Sequence, residues 1–168
     1  MAARIISPNQ YGFVQGRLIH DCIGITFEAI NMISKKVSGG NVTCKVDIHK
    51  AFDTLNWKFL LFLTRFGFHP SFVSWISTIL YSAMLSIIIN DSLVDFFPYS
   101  RGIRQGDPLS PLLFCLVEEV LSGGIYKLVN DKKILHMHSP QGYLTPSHIL
   151  YDDDIFIFCR GILSLLKI

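Results

Sequence analysis

Tyr151-Asp152-Asp153-Asp154 sets three consecutive carboxylates between two runs rich in β-branched and aromatic residues, His148-Ile149-Leu150 and Ile155-Phe156-Ile157-Phe158. The pattern predicts two strands of a hairpin with the acids at its turn. Adjacent negative charges repel, and a tight turn leaves them little room to separate. A divalent cation offsets that repulsion, and two such ions roughly 3.5–4 Å apart on shared carboxylates form an arrangement that transfers phosphoryl groups. A solvated acidic turn accounts for the same three residues. A further acid, Asp47, ends the strand pattern Val42-Thr43-Cys44-Lys45-Val46-Asp47-Ile48. An aspartate in that position is also an ordinary strand-terminating residue, so the chemistry depends on which elements bring the two sites together.

A glycine-punctuated loop, Asn9 to Arg17, leads into a helix predicted over about residues 18–36. Ile19, Ile23, Ile30 and Ile33 recur there at helical spacing, with Asp21 near the start and Lys35-Lys36 near the end, as the helix dipole favours. Arg17 at this helix mouth suits a phosphate or serves as a surface arginine. After Asp47 a helix is expected from about Trp57 to Phe66, with Asn56 as N-cap and Gly67 closing it. Pro70 opens a helix whose face carries Phe72, Ile76, Ile79 and Leu80, and Ile87-Ile88-Ile89 and Leu93 to Phe97 form a second hairpin about Asn90-Asp91-Ser92. Ser100 to Pro111 holds two arginines, two glycines and a helix start, with Ser110 as N-cap and Pro111 at the first turn. The helix that follows directs Leu113, Phe114, Val117, Val120 and Leu121 toward a core. Residues 130–147 are polar and turn-rich and read as a loop or short hairpin delivering the chain to the acidic turn.

A length of 168 residues suits one domain, and with half the residues apolar and only 17% charged the chain is not a disordered tail. A net charge of +2 permits nucleic-acid binding without arguing for it. Cys22, Cys44, Cys115 and Cys159 form no CxxC pair and read as reduced core residues of an intracellular protein. The N-terminus lacks the apolar segment of a secretory signal. Residues 70–90 are uncharged and close to membrane-spanning length, but their serines and their division into a helix and a strand favour a buried element of a core. No membrane association is expected, and the compartment is the nucleus or cytoplasm.

The order of the motifs is more specific than any one of them. Asn9-Gln10-x-Gly12-Phe13-x-x-Gly16-Arg17, Val46-Asp47-Ile48-x-Lys50-Ala51-Phe52-Asp53, Arg101-Gly102-x-Arg104-Gln105-Gly106-Asp107-Pro108-Leu109-Ser110-Pro111 and Tyr151-x-Asp153-Asp154 follow one another along almost the whole chain. Together they closely resemble the reverse transcriptase of non-LTR (LINE-type) retrotransposons, especially those of plants. The resemblance implies an α+β fold, the palm of a right-hand polymerase with an antiparallel sheet packed on helices. Residues up to about 40 would belong to the fingers and the rest, about 41–168, to the palm. It implies that Asp47, Asp153 and Asp154 hold two magnesium ions, manganese being the alternative, and that the partners are an RNA template, a DNA primer and deoxynucleoside triphosphates. The backbone from Ile48 to Ala51 would lie along the triphosphate, and the Phe52 ring would fill the space a ribose 2′-hydroxyl needs. Gln105 and Gly106 would pack against the templating pair, and Arg17 would contact nucleotide or template.

Two departures from the pattern carry expectations of their own. Asp152 stands where the family has Ala or another uncharged residue, and is expected to be a solvated carboxylate that lowers activity. The motifs of the earlier fingers, the later palm, the thumb and the endonuclease are not matched, which implies a fragment of a decayed element, inactive in isolation, with core surface of the Leu112–Leu121 helix or the Phe156–Phe158 strand exposed. Three functions therefore compete: an RNA-directed DNA polymerase, a non-catalytic remnant that at most binds nucleic acid weakly, and a related intron-maturase-type polymerase. Oligomeric state is not readable from these motifs.

Overall fold

The computed structural model describes residues 5–35, 37, 39–62, 67–139 and 145–161. The elements are α1 (Ile19–Ile33), β1 (Asn41–Asp47), α2 (Ala51–Thr54), α3 (Trp57–Leu60), α4 (Pro70–Tyr81), β2 (Met84–Ile89), β3 (Ser92–Pro98), α5 (Ser110–Asn130), β4 (His148–Tyr151) and β5 (Asp154–Arg160). The chain divides into two compact units, one of Met1–His49 with Val117–Ile168 and one of Lys50–Leu116. This is the expected α+β class with antiparallel sheets. No helix among the described residues is long and apolar enough to cross a membrane.

The first unit is built on a three-stranded antiparallel sheet in the order β1-β5-β4. Alternation sends Ile149, Phe156 and Phe158 to one face, where Phe158 and Ile149 pack with Cys22, Ala29 and Met137. The contact residues of α1 are therefore Cys22, Ile25, Ala29 and Met32, while the predicted stripe of Ile19, Ile23, Ile30 and Ile33 is exposed. Both series have helical spacing, and the covered one puts the small Cys22 and Ala29 against the sheet. On the other face His148 meets the Ser122 hydroxyl and the edge of the Tyr126 ring, both from α5.

The predicted face of α5 also needs correction. Leu113 and Phe114 are buried, but Val120 and Leu121 are exposed, and Cys115, Leu116, Glu118, Ser122 and Ile125 are buried instead. The Phe156–Phe158 strand is not an exposed surface, since Phe158 is fully buried. Cys22 and Cys115 are buried as expected, whereas Cys44 on the edge strand β1 is exposed; all four cysteines are free thiols. Among the described residues of 131–147, which are 131–139 and 145–147, there is no strand.

In the second unit Asn56 caps α3 by accepting from the amides of Lys58 and Phe59, and Pro70 opens α4, whose buried residues are Ile76 and Leu80. The predicted continuation of α3 to Phe66 falls outside the described residues after Phe62. The β2–β3 hairpin turns at Asn90-Asp91, both with positive φ, as a type I′ turn requires. α5 starts at Ser110, and in the turn ahead of it the Asp107 carboxylate accepts from the Leu109 amide at 2.8 Å.

Gly102 closes this unit. Its amide donates to the Leu55 carbonyl at 2.8 Å, its carbonyl accepts from the Trp57 indole at 2.6 Å, and Ile103 donates to the Phe52 carbonyl at 2.8 Å. At φ +84 it occupies left-handed backbone, and a Cβ there would lie 2.7 Å from the Asp53 carbonyl oxygen. Gly102→Ala is expected to lower unfolding free energy by about 2–4 kcal/mol in urea titration, combining left-handed strain with overlap on backbone that cannot swing aside. A loss below the left-handed penalty alone would show that the α2–α3 segment yields.

Candidate active site

β4 and β5 are joined by the shortest of hairpin turns. Tyr151 pairs with Asp154, which leaves Asp152 and Asp153 as its two residues. Asp152 has φ 54 while Asp153 is not among the positive-φ residues, the pattern of a type II′ turn, whose first position favours glycine. Asp47 lies directly opposite Asp154 across β1 and β5, and the Ile48 amide donates to the Asp153 carbonyl at 2.9 Å. Opposed residues of an antiparallel pair project to the same side, so the side chains of Asp47 and Asp154 leave one face of the sheet, together with Lys45 two residues earlier.

Lys45 shows what this face attracts. Its Nζ lies 2.9 Å from Asp154 Oδ2 and 5.7 Å above the Phe156 ring. The ammonium pKa is raised, first by the hydrogen bond to Asp154, against some desolvation, and then by the charges of Asp154, Asp47 and Asp153. One cation therefore already feels all three predicted acids. Asp154 Oδ1 and Asp152 Oδ1 are buried oxygens without a hydrogen-bond partner. Among the described residues no three His, Cys, Asp or Glu side chains form a ready cage for a metal. The donor set nevertheless suits a hard, oxygen-seeking dication: carboxylates at strand ends, with lone pairs unused and a displaceable lysine on one of them. Asp152 is half-buried, not solvated, and burial followed by the charges of Asp153 and Asp154 raises its pKa.

Behind the turn lies a polar network that motif reading did not assign. Asn9, Gln10 and Tyr11 run beside β4, with Leu150 donating to the Asn9 carbonyl at 2.9 Å and Tyr11 donating to the Leu150 carbonyl at 2.8 Å. The fully buried Gln10 donates through Nε2 to Glu118 Oε2 on α5 and accepts from the Gly12 amide at 3.0 Å. Burial pushes the Glu118 carboxyl up to about 8; the bond from Gln10 opposes this, and the charges of Asp152, Glu119 and Asp153 add to it. One helical turn on, Ser122 meets His148 Nε2 at 2.9 Å, and Ser147 and Asn9 meet Nδ1 at 2.9 and 3.4 Å. Burial holds the imidazole down at about 4. Glu118 and Ser122, spaced i and i+4 and so on one face of the helix, were the available signal for this network. Lys45, two residues before Asp47 on the same strand, was the signal for the ion pair.

The remaining candidates have separate settings. The Arg17 guanidinium donates to the carbonyls of Ile6, Ser7 and Gln10, and so holds its own loop. In the second unit, Ala51 is buried at the start of α2 and the Phe52 ring stacks on Phe114 with centroids 4.8 Å apart. Lys50 just before them has φ 51 and ψ 45, left-handed backbone at the N-cap of α2. Gln105 and Gly106 are exposed in a turn where Gly106 has φ +87.

The sequence matches the family described as reverse transcriptase (RNA-dependent DNA polymerase) over residues 1–168. It is 27% identical over 172 residues to the transposon TX1 uncharacterized 149 kDa protein of Xenopus laevis, covering 97% of this chain and 12% of that protein. It is 39% identical over 70 residues to an uncharacterized mitochondrial protein of Arabidopsis thaliana, covering 42% of this chain and 57% of that one. It is 34% identical over 77 residues to the retrovirus-related Pol polyprotein from the type-1 retrotransposable element R2 of Popillia japonica, covering 45% of this chain and 13% of the polyprotein. The chain thus spans only part of the length of each of these relatives.

Proposed function

The chain belongs to the reverse transcriptase (RNA-dependent DNA polymerase) family, and from that premise we propose that it carries the palm, with part of the fingers, of a non-LTR retrotransposon enzyme. Its reaction is addition of deoxynucleoside triphosphates to a DNA primer on an RNA template. The observation that carries this reading is the opposition of Asp47 and Asp154 in register, with an ammonium drawn among the acids. Asp47, Asp153 and Asp154 would hold magnesium, or manganese. When bound, the metal supplies a lowered pKa for the attacking hydroxyl and neutralisation of triphosphate charge.

The other roles fall to the chain's own groups. Lys45 holds the Asp154 carboxylate in place through their 2.9 Å ion pair, and would give up that oxygen to a stronger cation. The Ile48–Ala51 backbone, turned sharply at Lys50, borders the triphosphate. Phe52, its ring braced by Phe114, excludes a 2′-hydroxyl. Gln105 and Gly106 bear on the templating pair. Arg17 belongs to the proposed nucleotide set through the loop it holds, since its guanidinium already engages three carbonyls of that loop.

Metal-dependent extension of a DNA primer on an RNA template tests the activity, with deoxynucleotides and ribonucleotides compared. Phe52→Val is expected to raise ribonucleotide incorporation relative to deoxynucleotide by roughly tenfold or more, since a steric wall is removed where the extra hydroxyl would sit. An unchanged ratio removes Phe52 from this role. A second reading, a non-catalytic remnant that binds nucleic acid, draws on the Lys45–Asp154 pair, in which an internal cation replaces the metal. Template binding without metal-dependent extension, and without Mn2+ binding, would select it.

A further inference from the structure

We propose that Glu118, acting through Gln10 and Gly12, is a positioning residue that sets the Asp152–Asp153 turn. The proposal deepens the reading of Asp47, Asp153 and Asp154 as the cation-holding acids and rests on it for its functional meaning. Its structural content stands on contacts alone.

Those contacts form a continuous path from α5 to the turn. Glu118 is 2% exposed and Gln10 0%, so neither side chain has water as an alternative partner. The Gln10 amide is fixed at both ends, its nitrogen donating to Glu118 Oε2 and its oxygen accepting from the Gly12 amide at 3.0 Å. Gly12 in turn lies against the turn itself. A Cβ at Gly12 would come 2.7 Å from the Asp152 amide nitrogen and 3.5 Å from its Cα. The parallel pairing of Gln10 with Leu150 holds the segment in register beside β4.

The type II′ turn needs such a template. Asp152 has φ 54, where an L residue is strained and other turn geometries compete. A backbone pressed against Asp152 from one side, and itself held by a buried amide, removes the room for those alternatives. An apolar residue at 118 would leave Gln10 Nε2 without an acceptor in a dry site, and the amide would rotate or the loop lift. Ser122 and His148 fasten the start of β4 in the same way, but they touch the strand and not the turn.

The test compares Glu118→Gln, which retains an oxygen to accept from Gln10, with Glu118→Leu, which does not. Two readouts are taken on the whole chain: metal-free hydrogen exchange and NMR shifts of the Gly12, Asp152 and Asp153 amides, and Mn2+ affinity by electron paramagnetic resonance. Glu118→Gln is expected to match the parent in both. Glu118→Leu is expected to move the turn amides, speed their exchange, and weaken Mn2+ binding by roughly 10-fold or more, as loss of a support behind metal ligands does. Should Glu118→Leu not fold, Gln10→Met, which keeps the volume and removes both bonds, is read the same way. Unmoved turn amides in the folded variant, or Glu118→Gln failing as badly as Glu118→Leu, overturns the proposal. A parent chain that binds no Mn2+ counts against the metal reading, while the amide signals still decide the positioning role.

Discussion

Asp154→Asn and Asp47→Asn are each expected to weaken Mn2+ binding by at least about 100-fold and, in a chain joined to a thumb and full fingers, to lower magnesium-dependent primer extension by on the order of a thousand-fold. The two acids are register partners at strand ends, so each substitution removes a formal charge and an oxygen ligand without disturbing the backbone pairing that places the other. Asn keeps the shape and the β-ladder, which makes the loss electrostatic. Lys45 adds a discriminating control. Its ammonium lies on Asp154 Oδ2, and both side chains are partly solvated, so the pair is easily exchanged for a stronger cation. Lys45→Met is therefore expected to tighten Mn2+ binding modestly in the parent chain and to do nothing in the Asp154→Asn background. Extension within tenfold of the parent in Asp154→Asn would remove Asp154 from the site. Tightening by Lys45→Met regardless of Asp154 would show that the lysine acts through general charge alone.

The acidic hairpin was readable because strand patterning and a turn that must lie at its centre both constrain it. Alternation in Ile155-Phe156-Ile157-Phe158 fixes which residues share a face, and pairing Tyr151 with Asp154 leaves a single turn length. The cap at Asn56 and the start at Pro70 were readable for a similar local reason, since each satisfies backbone groups within its own turn. The choice of face on α1 and α5 was not readable in this way. Ile19, Ile23, Ile30 and Ile33 repeat with the same period as Cys22, Ile25, Ala29 and Met32, and only the sheet opposite decides which series is covered. On α5 the burial of Glu118 depends on Gln10, more than 100 residues away in the chain. No window of sequence contains that partner. Motif order carried the resemblance to the family, whereas the network that supports the motif residues became visible only when distant segments were in contact.

The share of stability set by two buried groups of that network is expected to stay level between about pH 4.5 and 6.5 and to fall by on the order of 2 kcal/mol from pH 6.5 to 8, because the two titrate in opposing senses. His148 is neutral in the fold, its pKa held down at about 4 from 6.5 by burial. Between those values the unfolded chain binds the extra proton, so this contribution is complete above pH 6.5 and is lost as pH falls toward about 4. Glu118 behaves in reverse, its pKa raised from 4.5 to about 8 by burial. The folded chain keeps a proton that the unfolded chain releases, so this contribution is complete below pH 4.5 and is lost as pH rises through about 8. Each slope is roughly 1.4 kcal/mol per pH unit where it acts, so they cancel in the shared window and Glu118 governs alone above it. Glu119 and Asp152, whose carboxyls burial also raises, add falls of the same sign that begin at the ordinary carboxylate values, on top of the profile set by His148 and Glu118. Urea titrations at pH 4.5, 6.5 and 8 measure the profile, and two variants assign it. Glu118→Gln should abolish the alkaline fall and uncover stability that climbs with pH through the range in which the parent is level. His148→Gln should instead show a continuous decline from pH 4.5 to 8. An alkaline fall that survives in Glu118→Gln would mean that the proton belongs to another group, and that the carboxyl behind the acidic turn is charged when the chain is folded.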